Sequence, residues 1–113
     1  MIHGRRDVTH APIRDRLRLL GASVRDDGDA GHNKPDLLVG ILGHDFQVEC
    51  KSAKKVHHQA NEASEGQDKF AAEWRGAPVM RLRSVEDAVT WYLRTREKLI
   101  REREILARSA VKP

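Results

Sequence analysis

The 113-residue sequence predicts an α/β domain in which helices flank a mixed β-sheet, in the order α-β-β-β-α-β-α. Three observations carry that prediction. Apolar residues recur at helical spacing near the start and again over the last third of the chain. Two short apolar runs, at 37–41 and 46–50, are bounded by turn formers, and a third, at 79–82, follows a Gly-Ala-Pro break. The length suits one hydrophobic core and one domain.

The first helix is expected over residues 11–20, where Ile13, Leu17 and Leu20 fall at i, i+4 and i+7, while Arg14, Asp15, Arg16 and Arg18 take the remaining surface. Pro12 suits only a first turn, and Gly21 is placed to end the helix. Residues 22–25 read as a first strand, and the stretch from Asp26 to Lys34 is too rich in turn formers to be anything but a loop. The second strand, 37–41, is continuously apolar, as suits a strand covered on both faces. Leu42-Gly43-His44 reads as a hairpin turn into a third strand over 45–51. There Phe46, Val48 and Cys50 share one face, and Gln47, Glu49 and Lys51 share the other.

Residues 51–66 read as a polar, irregular stretch, followed by a helix over 64–74. Gln67, Phe70, Ala71 and Trp74 lie at i, i+3, i+4 and i+7, so an amide shares the apolar face turned to the sheet. A buried amide needs hydrogen-bond partners. Trp74 and Trp91 both fall in helical patterns and read as core or interface residues. Residues 79–82 form the fourth strand, and Ser84-Val-Glu-Asp87 is a capping box opening the last helix. Beyond Arg94 charges alternate around sparse apolar positions, Leu99, Ile100, Ile105 and Leu106. The expected division is therefore a domain over 1–95 and a charged helical extension over 96–113.

Lys and Arg number 21 against 17 Asp and Glu, a net charge of +4, which fits a nucleic-acid partner. Cys50 is the only cysteine, so no internal disulfide and no cysteine zinc site are expected. No apolar stretch approaches the roughly 18 residues of a membrane helix, and the basic start lacks the apolar core of a signal peptide. A cytoplasmic setting is expected.

The chemistry concentrates in one pattern. Pro35-Asp36 and Glu49-Cys50-Lys51 together read PD-x12-E-x-K, and an antiparallel return brings Glu49 back towards Asp36. Two facing carboxylates repel each other unless a cation lies between them, and a hard divalent ion prefers such oxygen donors. Lys34 precedes the pattern, and Lys54, Lys55, His57 and His58 follow it, as a basic loop that would track phosphates towards the carboxylates. His57 and His58 lack a neighbouring cysteine or third histidine and do not make a zinc motif. Asp26, Asp27 and Asp29 lack the closing glutamate of a calcium loop and read as turn residues, with Asp26 or Asp27 near the site.

The string Lys34-Pro-Asp-Leu-Leu-Val-Gly40, then Phe46-Gln-Val-Glu-Cys-Lys51, then Gln67 before Phe70-Ala-Ala-Glu-Trp-Arg-Gly76, and finally Pro-Val-Met-Arg-Leu-Arg-Ser-Val-Glu-Asp-Ala88, resembles the virus-type replication-repair nuclease domain. That domain belongs to the PD-(D/E)XK superfamily, with archaeal Holliday-junction resolvases and many restriction enzymes. The resemblance spans about Ile13 to Leu93. It implies a restriction-endonuclease-like core in which Asp36 and Glu49 hold Mg²⁺ or Mn²⁺ with the main-chain carbonyl of Cys50. It further implies that Lys51 positions or activates the attacking water, and that Gln67 orients the site. The activity implied is hydrolysis of DNA phosphodiesters to a 3′-hydroxyl and a 5′-phosphate, selective for branched structures, in phage replication, recombination or repair. Relatives that resolve junctions act as homodimers, because two nicks need two related sites. The rival readings are an endonuclease of single strands, flaps or duplex, and a non-catalytic DNA-binding module.

The chain departs from its relatives at one point. Many carry an acid on the first helix, and here no glutamate precedes Glu49. Asp7, His10, Asp15 or water would complete the site, although Asp15 falls among exposed arginines on a helical wheel.

Overall fold

The computed structural model describes residues 9–28, 34–51 and 60–110, without the side chains of 60–64. Lys54, Lys55, His57, His58, Asp7 and Asp29 lie outside the described residues. The order is α1 (His10–Leu20), β1 (Ser23–Asp26), β2 (Leu37–Ile41), β3 (His44–Cys50), α2 (Ala60–Glu73), β4 (Met80–Leu82) and α3 (Val85–Ala110). The strands form one sheet in the order β1-β2-β3-β4. β1, β2 and β3 pair antiparallel, and β4 joins β3 in parallel, so the sheet is mixed, as the α/β reading expects.

In α1 the apolar stripe is buried as its spacing requires, with Ile13 and Leu17 wholly enclosed. Gly21 closes the helix in the left-handed region at φ 114°, where its N–H donates to Arg18 O and that of Ala22 donates to Leu17 O. Tyr92 of α3 reaches this corner, its hydroxyl only 3.3 Å from where a β-carbon on Gly21 would stand.

The β2–β3 hairpin turns on two residues, not three. Leu42 and Gly43 have φ of 48° and 84°, and Ile41 pairs with His44, so His44 begins β3. This mirror-image turn matches the right-handed twist of its strands. The resulting register sets Leu37 opposite Val48 and Val39 opposite Phe46. Phe46, Val48 and Cys50 therefore face α3, where Phe46 meets Trp91 edge-on at 5.7 Å. Gln47 and Glu49 face the other way, towards α2. The core gathers Ile13, Leu17, Leu37, Val39, Ile41, Val48, Leu82, Ala88 and Tyr92 between the sheet and the α1–α3 pair.

Two sequence expectations need correction. α2 begins at Ala60, inside the stretch read as irregular, because Ala60, Glu62, Ala63 and Glu65 are good helix formers despite their polarity. Of the core and interface places read for Trp74, the core is excluded: it lies past the end of α2, is 46% exposed, and stacks on Phe70 at 5.5 Å.

α3 starts at the capping sequence, where Ser84 Oγ accepts the Asp87 N–H at 3.0 Å and the Asp87 carboxylate accepts the Arg83 N–H at 3.0 Å. Its 26 residues span about 39 Å at the standard rise. Leu99 is its last buried residue, and 101–110 are exposed. Arg103 ties this arm back to the hairpin by donating to Leu42 O at 3.2 Å. Among the described residues no helix is long and apolar enough to cross a membrane.

Candidate functional site

Strand alternation turns Glu49 away from the main core and towards α2, yet the residue is only 2% exposed. A buried carboxylate requires charge or hydrogen bonds around it. Lys51 Nζ lies 3.7 Å and Arg81 Nε 3.6 Å from Glu49 Oε2. Neither is a hydrogen bond, and that buried oxygen has no hydrogen-bond partner among the described residues. Burial pushes the Glu49 carboxyl above its usual value; Lys51 pulls it back, Asp36 adds to the rise, Arg81 opposes it, and the net displacement is upward.

Lys51 leaves the end of β3 and donates through Nζ to Gln67 Oε1 on α2. The amide expected on the sheet-facing side of that helix thus meets the strand lysine. Asp36 stands just before β2, where its Oδ2 accepts the Cys50 N–H at 2.8 Å and its main-chain oxygen accepts the Asp27 N–H at 2.7 Å. Asp36, Glu49, Lys51 and Gln67 therefore converge at one end of the sheet. Lys34 is exposed beside them. With Arg25, Pro35, Gln47, Phe70 and Trp74 it lines a groove of about 500 Å³ on the α2 face.

α1 delivers a further residue to the same end. Thr9 Oγ1 donates to the Lys51 carbonyl at 2.8 Å, pinning the start of the helix to the end of β3. His10 follows, 2% exposed, with Nε2 3.0 Å from both carboxylate oxygens of Asp26. Asp26 also accepts Arg14 Nη1 and the Gly28 N–H, each at 3.0 Å. Burial raises the Asp26 carboxyl, but His10, Gly28 and Arg14 together outweigh it and hold the group well below the usual carboxylate range. A ring nitrogen of His10, a carboxylate oxygen of Asp36 and Sγ of Cys50 lie within 4.8 Å of one another. These nitrogen, oxygen and sulfur donors differ from the all-oxygen set that the resemblance implies.

Of the residues weighed for the missing first-helix acid, His10 reaches this end of the sheet, whereas Asp15 is exposed and bonded to Arg14. Sequence reasoning did not single out Arg81, the Asp26–His10 bond or the Cys50 side chain. Met80-Arg81-Leu82 does alternate, which puts Arg81 on one face of its strand, and the parallel pairing then sets it opposite Glu49. Arg81 also bonds Asp68, one residue beyond Gln67.

No family model, curated protein or solved structure matches this chain.

Proposed function

We propose that the chain is a metal-dependent DNA endonuclease of the virus-type replication-repair class, with Asp36, Glu49, Lys51 and Gln67 as its working residues. The observation that carries this reading is the end of β3. Glu49 is buried with an oxygen that no donor among the described residues satisfies, flanked by an ammonium that Gln67 holds in place. An unsatisfied buried carboxylate oxygen beside a second carboxylate suits a hard divalent cation.

Asp36 and Glu49 would hold Mg²⁺ or Mn²⁺, with the Cys50 main-chain carbonyl as a further oxygen. The ion supplies a more acidic water and neutralises charge building on the phosphate. The chain's own groups do the rest. Lys51, fixed by Gln67, orients the water that attacks phosphorus and stabilises the negative charge that develops there. The O3′ side of the bond leaves, giving a 3′-hydroxyl and a 5′-phosphate. Arg81 keeps a positive charge near Glu49 and links it to α2 through Asp68. Lys34 along the groove, with Lys54, Lys55, His57 and His58, would follow the DNA backbone, while exposed Trp74 offers a stacking surface.

The favoured substrate is branched DNA, cut by a homodimer in the cytoplasm alongside replication or recombination proteins. The test is cleavage of a labelled panel comprising four-way junction, splayed arm, flap, duplex and single strand, each with Mg²⁺, Mn²⁺ or EDTA, beside Lys51→Ala. Metal-dependent cutting that the variant loses supports the nuclease, and the preferred substrate separates a resolvase from a general endonuclease. Tight binding without cutting by the wild-type chain would replace this reading with a DNA-binding module.

A further inference from the structure

We infer that His10, Asp36 and Cys50 form a site for a borderline transition-metal ion of the zinc class, with Asp26 as the carboxylate that orients the histidine. Two independent observations support this. The first is the donor set: a ring nitrogen, a carboxylate oxygen and a thiol sulfur within 4.8 Å of one another, brought together from the start of α1, the entrance to β2 and the end of β3. Tetrahedral zinc, with bonds of about 2.1 Å to nitrogen or oxygen and about 2.3 Å to sulfur, keeps such donors about 3.6 Å apart. Side-chain shifts of about an ångström would close the set around an ion.

The second observation is the state of His10. The ring is 2% exposed, Nε2 is taken up by Asp26, and buried Nδ1 has no hydrogen-bond partner among the described residues. A buried imidazole nitrogen without a partner is costly unless something binds its lone pair. A carboxylate that accepts one ring N–H so that the other nitrogen can bind metal is the usual outer-sphere support of a metal-bound histidine. Asp26 is itself fixed, by Arg14 and by the Gly28 N–H, which makes it a rigid orienter.

Hard Mg²⁺ has little use for a thiol and an imidazole, whereas zinc, cobalt and their neighbours favour both. Asp36 is common to this set and to the proposed nuclease centre, while Glu49 belongs only to the latter. That division lets the two readings be tested apart.

The experiment is a Co²⁺ titration of the full chain, followed by the thiolate-to-cobalt charge-transfer absorption and its disappearance on adding Zn²⁺. The band should appear in the wild type, vanish in Cys50→Ser, and survive in Glu49→Gln even though cleavage is lost. His10→Gln should remove it, and Asp26→Asn should weaken Co²⁺ binding by about 10- to 100-fold. Excess Mg²⁺ should leave it in place. Absence of the band in the wild type, its persistence in His10→Gln, or its displacement by Mg²⁺ would each overturn the assignment. Should Cys50→Ser fail to fold, zinc X-ray absorption of the wild type decides: a shell with one sulfur supports the site, and one without sulfur refutes it.

Discussion

Glu49 combines two opposed demands, because burial penalises its charge while the proposed chemistry requires it. A carboxyl whose folded-state pKa lies above its unfolded value binds its proton more tightly when folded. The stability it contributes is full below the ordinary glutamate value of about 4.5 and is lost as pH rises through the raised folded value. Glu49→Gln should therefore remove that downward slope and melt a few degrees above the wild type at neutral pH, while cleavage falls to background and DNA affinity is largely kept. Thermal melts across the acid-to-neutral range, with and without Mg²⁺, check this; Mg²⁺ should raise the melting temperature of the wild type only. Asp36→Asn should lose cleavage in the same way. The joint orientation of Glu49 and Lys51 was legible in the sequence because strand pleating is local, and so was the inward amide of Gln67, from helical spacing. The His10–Asp26 pair and Arg81 were not, because those contacts arise only when α1 packs beside β1 and β4 docks on β3.

At the scale of elements, the hairpin that aligns Asp36 with Glu49 depends on two residues with positive φ. Gly43 has open space around the position of a β-carbon, so Gly43→Ala carries a conformational cost alone. The expected loss is about 1 kcal/mol, read as a lower denaturation midpoint with an unchanged slope. Ser84→Ala should remove the bond to the Asp87 N–H and cost about 1 kcal/mol by the same measurement. Caps and strand runs were readable because each is written in neighbouring residues. The start of α2 is hidden because its polar residues carry no apolar period, although several of them favour helix intrinsically.

For the whole molecule, α3 projects an arm whose Ile105 and Leu106 are 55% and 70% exposed. If the working form is a homodimer joined there, Ile105→Glu with Leu106→Glu should yield a monomer by light scattering, with monomer stability changed by no more than about 0.5 kcal/mol. A dimer mass unchanged in the double variant would remove the arm as the interface. The parallel pairing of β4 with β3 bears on how the molecule assembles. β2 and β3 are joined by two residues, so the two acids can meet through local closure, in microseconds. β4 must wait for the long crossover through α2, whose closure carries a larger entropic penalty. Gln67 rides on that crossover. A refolding chain should hold its acids together before Lys51 gains its amide, making catalytic competence one of the last properties to emerge.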